Sequence, residues 1–462
     1  MSLEVGALLI CIAVFAIGIY RRVNVGILLI AVAAAVGVWL AGVPIDDVLA
    51  GFPIDLMILL AGVTFYFGVA QANGTVDRLI NLVVRRVGHR RSLMPLTFCA
   101  MAVLLASMGN PGAALVLIPL AMNLADKQDI ERVLMGIAVG TGMSAGGFAP
   151  TSTFGIIVAG TAKTAGITLN SLVLFSIALA ANLLLLAAAY ILWNRRGARA
   201  DDVVEQTMHS ESHELVSART LGSTDSIAPV GGPPSASAKP SGPRGADHEE
   251  SRPAGPMSFI QVVTLVSLVA LIVTVVVANL FDVSPDIGVL AFGLGSLLIL
   301  IDPSSAKEGA AKIDWSTILL VGGIITYVGV LQNVGTIDML GDWAASMSWP
   351  LLAIFVLCVI AGLVSTFAST LAMMALLVPL AVPLVMEGGL PGWAVICAIA
   401  ICVSIVDNCP FSSSGAMMIA TTPNPDDRPR LTKNLARWGF SLVVIGPAVT
   451  VGLLIVPALV IG

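Results

Sequence analysis

Two polar heptapeptides lie in apolar surroundings, 260 positions apart: APTSTFG at 149–155 and CPFSSSG at 409–415. Each contains a proline, which interrupts a helix because it lacks an N–H group. The half-helix after such a break exposes N–H groups with partial positive charge, which suit an anion. Helix capping alone is the alternative role for the hydroxyls at the breaks. These candidate substrate-binding hydroxyls belong to Thr151, Ser152, Thr153, Ser412, Ser413 and Ser414.

Asp407 is the one acidic residue that the sequence places well inside an apolar segment. A carboxylate at that depth costs about 3 kcal/mol or more unless it is paired. No lysine or arginine is expected nearby, so Na⁺, a proton or helix N–H groups are its candidate partners. Ion coupling and helix capping both fit its position. The other candidate ion-coupling residues are Asn408, Asn110, Ser144 and Ser404.

Two further apolar segments have polar breaks, SMGNPG at 107–112 and STFAST at 365–370. Gly109, Asn110 and Pro111 allow a tight turn that leaves carbonyl groups free. Ser369 and Thr370 supply hydroxyls at the corresponding place in the second segment. An ordinary helix–helix turn is the alternative, but both segments accompany a heptapeptide. We therefore predict that these five residues contact the same substrate.

The elements that must hold these residues are membrane-spanning helices. The chain is 57% hydrophobic and 11% charged, and its mean hydropathy is +0.97. Apolar runs long enough to cross about 30 Å of hydrocarbon recur along it. The six cysteines lie in apolar segments and the four histidines in polar connections. The sequence thus predicts a polytopic protein in the lipid bilayer, with no catalytic site, no cofactor and no nucleic-acid partner.

The segments recur in the same order in both halves of the chain. YFGVAQANGTVD at 66–77 matches YVGVLQNVGTID at 327–338 at seven of twelve positions. IPLA at 118–121 matches VPLA at 378–381 in nearly the same register. A shared offset in several motifs indicates an internal duplication. We predict two transmembrane repeats, 1–194 and 257–462, joined by a hydrophilic, disordered cytoplasmic linker at 195–256.

Each repeat contains five predicted spans, one broken helix among them, and one segment too short to cross the membrane twice. The short segments, about 92–125 and 350–386, are predicted re-entrant helical hairpins. The broken helices are predicted at about 132–160 and 391–420. An odd number of spans inverts the second repeat relative to the first. The predicted fold is therefore an all-α polytopic membrane protein with two inverted-topology repeats.

The basic residues support this topology. With both termini outside, 22 of the 23 lysines and arginines fall on the inner face and only Lys163 lies outside. Basic residues accumulate on the cytoplasmic side of membrane proteins. Inverted repeats with broken helices are typical of secondary transporters.

The NGTVDRL, SMGNPGAALVLIPLA and SIVDNCPFSSSGA stretches resemble bacterial dicarboxylate carriers of the MatC (malonate carrier) type. These carriers belong to the ion transporter superfamily, alongside the divalent anion:sodium symporters. The resemblance implies a homodimer in the bacterial inner membrane with an elevator-like motion. It also implies substrate and Na⁺ between the hairpin tips and the broken helices. The symporters' Ser-Asn-Thr tips fall here on Gly109-Asn110-Pro111 and Ser369-Thr370-Leu371, where only Asn110 and Ser369 match.

The expected function is cation-coupled secondary transport of a small carboxylate such as malonate or a C4-dicarboxylate, with Na⁺ or H⁺ as the coupling ion. A carrier of arsenite, sulfate or gluconate, or a Na⁺/H⁺ antiporter, is the alternative within the same class. An intramembrane enzyme or a channel is the alternative from another class. The sequence shows neither a nucleophile–base pair nor the repeated filter of a channel.

Overall fold

The structure is a computed structural model that describes residues 3–21, 23–76, 78–79, 93–109, 117–193, 257–280, 286–345, 349–386 and 389–461. Every secondary-structure element in these ranges is helical. This confirms the all-α prediction. The predicted linker at 195–256 and the predicted site residues Asn110 and Pro111 lie outside the described residues.

The helices of the first half are α1 (Leu3–Arg21), α2 (Val25–Ala35), α3 (Ile45–Ala50), α4 (Ile54–Ala72), α5 (Met94–Ser107), α6 (Leu117–Lys127), α7 (Arg132–Gly147), α8 (Thr153–Thr164) and α9 (Ser171–Trp193). A π-helical turn, Val36–Leu40, continues α2.

The helices of the second half are α10 (Phe259–Leu280), α11 (Ile287–Ile301), α12 (Ala306–Ala311), α13 (Trp315–Asn333), α14 (Thr336–Ala345), α15 (Pro350–Ser365), α16 (Thr370–Leu380), α17 (Val382–Met386), α18 (Gly392–Ser404), α19 (Ser413–Ala420), α20 (Arg428–Thr450) and α21 (Val456–Ile461).

Several helical segments have the length and composition of membrane spans. Among the described residues, six segments of 19 to 36 residues are apolar enough to cross a bilayer. Many of their large apolar side chains are exposed, including Ile12, Leu184 and Leu453. Exposed apolar surface on this scale requires a nonpolar solvent. The chain is therefore a multi-pass membrane protein.

Glycines bring helices of the two halves into backbone contact. A Cβ on Gly323 of α13 would lie 2.0 Å from the carbonyl oxygen of Gly26 on α2. A Cβ on Gly62 of α4 would lie 2.2 Å from the carbonyl oxygen of Gly288 on α11. Gly26 and Gly288 are 262 positions apart, and Gly62 and Gly323 are 261 apart. The two crossings are thus reciprocal: α2 meets α13, and α4 meets α11, where α11 and α13 occupy the positions in the second half that α2 and α4 occupy in the first.

Hydrogen bonds between the halves show the same reciprocity. The Tyr66 hydroxyl lies 2.8 Å from Ser267 Oγ on α10, and the Tyr327 hydroxyl donates to the Ala7 carbonyl on α1 at 2.8 Å. Both tyrosines are fully buried. Each occupies the first position of the repeated twelve-residue motif. The duplication and the inverted orientation of the repeats stay predictions.

The helix that follows each break packs against a helix of the other half. The helix α8, after the first break, packs on α16, and α19, after the second break, packs on α6. The hairpin arm α5 packs along α7, and the hairpin arm α15 packs along α18. With 14 and 16 residues, α5 and α15 are only about 21 and 24 Å long. Each arm is thus shorter than the hydrocarbon core.

The last long helix begins earlier than the sequence predicts. The apolar run indicates a span at 437–461, whereas α20 begins at Arg428. Its first turns are polar on one side, but Leu431 and Leu435 are 2% and 0% exposed. An amphipathic turn of this kind is stable because one face is buried against neighbouring helices. A search for continuous apolar residues does not detect the polar first turns of α20.

Candidate functional site

The second broken helix is shaped by its proline and serines. The helix α18 ends at Ser404 and continues as a 3₁₀ turn, Ile405–Asn408. Cys409 is extended, as expected for a residue before proline. Ser412 then caps α19, and its Oγ accepts the Gly415 N–H at 3.1 Å. A polar 3₁₀ turn and a helix N-terminus are therefore adjacent.

The turn between α15 and α16 faces this break. Between them, beside α7, lies a cavity of about 380 Å³. Ligand cavities commonly measure about 300–1,000 Å³, so this one suits a small molecule. Its lining residues are Gly140, Met143, Ser144, Phe154, Phe367, Ala368, Ser369, Thr370, Leu371, Asp407, Asn408, Phe411, Ser412, Ser413 and Ser414.

Asp407 is the one charged side chain among the described lining residues. It is half-buried, and Thr370 Oγ1 donates a hydrogen bond to its Oδ1. The bond joins the first residue of α16 to the 3₁₀ turn of the broken helix. The hairpin is thus attached to the carboxylate itself.

Two helix N-termini meet the same cavity. Ser369 precedes α16 and forms no side-chain capping bond, and Ser412 precedes α19. Ser369 and Ser413 are exposed to the cavity. Each N-terminus carries roughly half a positive charge. Neutral donors and partial charges therefore surround one full negative charge.

Ser144 and Asn408 add oxygen atoms that have no described partner. Ser144 is 4% exposed and Asn408 is 3% exposed. Their Oγ and Oδ1 atoms are buried without a hydrogen bond to any described residue. Asn408 lies close to the backbone of α7: a Cβ on Gly140 would lie 1.5 Å from the Asn408 Oδ1. Buried polar atoms are normally paired, so these two oxygens are suited to a bound donor or cation.

The hydroxyls of the first break lie outside the lining. Thr151 Oγ1 donates to the Ser107 carbonyl and Ser152 Oγ to the Ala106 carbonyl, each at 2.7 Å. Thr153 Oγ1 donates to the Gly109 carbonyl at 2.9 Å. Ala106 and Ser107 are the last residues of α5, and Gly109 follows two positions later. The carbonyls in the last turn of a helix have no partner within that helix. The three side chains thus tie the first hairpin to the first broken helix, although the sequence predicted substrate contacts for them.

Two other predicted site residues also lie outside the lining. Gly109 has a φ of 100°, and a Cβ there would lie 2.3 Å from the Phe67 ring. Ser404 is 1% exposed and its hydroxyl donates to the Ile401 carbonyl at 3.0 Å. The structure therefore gathers the remaining described candidates at the second break, Ser144 of α7 among them.

Sequence reasoning missed the apolar part of the lining. Met143, Phe154, Phe367, Leu371 and Phe411 all contribute to it. The Phe367 and Phe411 ring centroids are 5.2 Å apart. Phe154, Phe367, Leu371 and Phe411 lie within or beside a polar motif that the sequence already singled out, and Met143 precedes the candidate Ser144. These positions were the available signal. The cavity is consequently part polar and part aromatic.

An all-α bundle with membrane-length apolar helices, and a polar cavity where a helical hairpin meets a broken helix, defines a multi-pass membrane transporter. Comparison with protein families shows which family of membrane transporters the chain belongs to. A family model described as Citrate transporter (CitMHS) matches residues 7–403, so the chain belongs to the CitMHS citrate transporter family. A comparison with curated proteins gave no match.

Membership confirms the superfamily predicted from the motifs, because this family lies within the ion transporter superfamily. It makes the chain a secondary transporter of the carboxylate class. The malonate-carrier type stays a prediction. The matched range ends at residue 403, just before the 3₁₀ turn with Asp407. The family therefore identifies the class of protein, while the site residues are argued from the geometry.

Proposed function

We propose that the protein carries a small di- or tricarboxylate across the membrane together with a cation, through the cavity at the second break. The observation that carries this proposal is the pairing of two helix N-termini with one carboxylate, Asp407, and no other charged group in the described lining. The N-termini attract the cargo, and the carboxylate attracts the cation.

The charges favour joint entry of cargo and cation. A dicarboxylate carries about two negative charges, and the two N-termini offer roughly half a positive charge each. Asp407 adds one more negative charge. Unneutralised charge is costly in a site of low dielectric constant. A bound Na⁺ or H⁺ removes this excess.

The oxygens around Asp407 suit either cation. A proton would reside on the Asp407 carboxyl group. Na⁺ would be held by Asp407 with Asn408 Oδ1 and Ser144 Oγ, two buried atoms of the cavity lining without a described partner. Carboxylate, amide and hydroxyl oxygens are the ligands that hard cations prefer. Asn110 and Ser404, also predicted from the sequence, complete the candidate ion-coupling set.

The hydroxyls at the two N-termini are the proposed carboxylate donors. Ser369 and Ser413 are exposed to the cavity, and Ser414 lies one residue further along α19. Citrate, malonate and C4-dicarboxylates are all small enough for about 380 Å³. We propose citrate or a smaller dicarboxylate as cargo.

The reciprocal contacts between the halves support alternating access by an inverted repeat. Such transporters expose a central site to each side in turn as one bundle moves against another. An elevator-type movement, a homodimer, the bacterial inner membrane and termini outside are parts of the same proposal.

Uptake by purified protein in proteoliposomes tests this function. Radiolabelled citrate, malonate and succinate are offered with Na⁺ and pH gradients imposed separately, and protein-free vesicles are the control. We expect accumulation of at least one acid that requires one of the two gradients. Uptake of arsenite, sulfate or gluconate with no uptake of citrate, malonate or succinate, or Na⁺/H⁺ exchange alone, would contradict the proposal.

A further inference from the structure

We propose that Ser365 is a positioning residue that lets Thr370 change its hydrogen-bond partner when Na⁺ binds at Asp407. This inference rests on the proposed function and concerns the same cavity. Ser365 does not line the cavity and was not among the residues predicted from the sequence. It ends α15, five positions before Thr370.

The three side chains form a connected set. Thr370 Oγ1 donates to Asp407, and Ser365 Oγ lies 3.4 Å from Thr370 Oγ1. Ser365 Oγ donates to the Val403 carbonyl at 2.8 Å. Ser365 is 0% exposed and Thr370 is 7% exposed. The set thus runs from the cavity into the interface between the hairpin and the broken helix.

Each hydroxyl has one hydrogen and two lone pairs. The bonds to Asp407 and Val403 use the hydrogens of Thr370 and Ser365. While both bonds are made, no hydrogen remains for the contact between the two hydroxyl oxygens, whose separation of 3.4 Å exceeds the usual O–H···O distance of about 2.7–2.8 Å. Ser365 Oγ can therefore accept a hydrogen bond from Thr370.

Neutralisation of Asp407 reverses what Thr370 must do. Na⁺ held by Asp407 attracts the lone pairs of Thr370 Oγ1, the hydroxyl bonded to that carboxylate. The Thr370 hydrogen then turns away from the ion and toward another acceptor. An unpaired buried donor is unfavourable, and Ser365 Oγ is the acceptor within reach. Ser365 thus stabilises the state in which the cation is bound.

The charged groups around this set are few. The 3₁₀ turn with Asp407 packs against α7, α15, α18, α19 and α20. Among the described residues of these helices, none contributes another charged side chain to the cavity lining. The cation therefore acts on Asp407 and its hydroxyl partner without a competing charge.

The test measures the Na⁺ concentration for half-maximal uptake of a transported acid at fixed pH. We expect Ser365→Ala to raise this concentration about tenfold, the effect of losing one buried hydrogen bond. Uptake that does not depend on Na⁺ would overturn the inference. Ser365→Thr, which keeps the hydroxyl, should restore the original value. Thr366→Val is the matched control, because the Thr366 hydroxyl donates to Gly362 within α15.

A double-mutant cycle separates this role from a purely structural one. In a Thr370→Val background, Ser365→Ala should change the half-maximal concentration no further, because Ser365 acts through Thr370. A shift that persists there would assign the effect to the bond with Val403 and overturn the inference. An unchanged value in the Ser365→Ala single variant would overturn it as well.

A second variant and a second measurement cover the cases in which Ser365→Ala is not inserted or has no uptake. Ser365→Gly replaces Ser365→Ala if the latter is not inserted, since a glycine is tolerated at a helix end. If a variant has no uptake, the NaCl concentration that half-maximally raises its melting temperature is compared with that of wild type. Absence of uptake by the wild-type protein contradicts the proposed function, whereas a shift in this melting assay still tests Ser365.

Discussion

The proposed cation coupling depends on the carboxylate of Asp407. This carboxylate faces a cavity whose other polar groups are neutral, and its described hydrogen-bond donor is the Thr370 hydroxyl. One hydroxyl does not offset the cost of a carboxylate at membrane depth. The energetic deficit makes the side chain a natural point of attachment for a cation.

Asp407→Asn should lower cation-driven uptake about tenfold or more, because the amide lacks the negative charge that attracts the cation, and a contact with a charged group contributes roughly 1.5–3 kcal/mol. The amide keeps the shape of the carboxyl group and can still accept from Thr370, so the protein should insert and fold normally. Initial uptake rates under Na⁺ and pH gradients measure the effect. Asp55→Asn, at an exposed position in α4, is the matched control. Unchanged cation dependence in Asp407→Asn would remove the assignment.

Serine hydroxyls at the two breaks should differ in what they contribute. Ser413 is exposed to the cavity, so Ser413→Ala should raise the KM for the acid about fivefold, the effect of roughly 1 kcal/mol. Ser152 is 0% exposed and bonded to the Ala106 carbonyl, so Ser152→Ala should lower the melting temperature and leave KM unchanged. Paired melting and uptake curves measure both effects, and the reverse pattern would show that the first break binds the acid.

At the scale of helices, the glycine crossings join the two halves. Gly26 and Gly323 meet through backbone atoms, as do Gly62 and Gly288. A backbone carbonyl cannot move aside as a flexible side chain can, so a methyl group must push the helices apart. Small residues serve this purpose widely in membrane helix pairs.

Gly323→Ala should destabilise the fold by roughly 1–3 kcal/mol, the usual effect of overpacking. Its Cβ would lie 2.0 Å from the Gly26 carbonyl oxygen. Gly329→Ala is a control in the same helix, because a Cβ there meets nothing within 4 Å. The control should be neutral or slightly stabilising, since alanine favours helix over glycine. Thermal unfolding in detergent compares the two; equal melting temperatures would contradict the crossing.

Some of this architecture follows from local rules. Pro410 and Ser412 interrupt and cap a helix in any context, so the sequence indicates the second break and its polar turn. The hydrogen-bond partner of Ser152 depends on which carbonyls of α5 lie close to it, and tertiary packing determines that. Its motif cannot distinguish a cargo contact from a bond to the hairpin. The aromatic part of the lining also cannot be read from the sequence, because Phe367 and Phe411 resemble any apolar residue of a membrane helix.

At the scale of the whole molecule, the fold class follows from composition, whereas the membrane orientation stays a prediction from charge. Basic residues predict that the connection after α8 is outside and that α12 is inside. Thr168 and Glu308 are exposed residues in these two places. They allow the orientation to be measured directly.

Thr168→Cys should react with a membrane-impermeant thiol reagent added to intact cells, because its connection is predicted outside. Glu308→Cys should react only after the membrane is permeabilised. The six native cysteines are buried in the structure and serve as the unlabelled background. Labelling of both positions from outside would contradict the inverted topology.

The exchanged bonds of Tyr66 and Tyr327 have a consequence for how the protein can be made. Each half completes its interior with the first helix of the other, at Ser267 and Ala7 respectively. These contacts need no covalent continuity across 195–256. Two fragments, coexpressed as separate polypeptides and cut within that stretch, should copurify as a working carrier, while either fragment alone would leave a buried tyrosine hydroxyl without its acceptor.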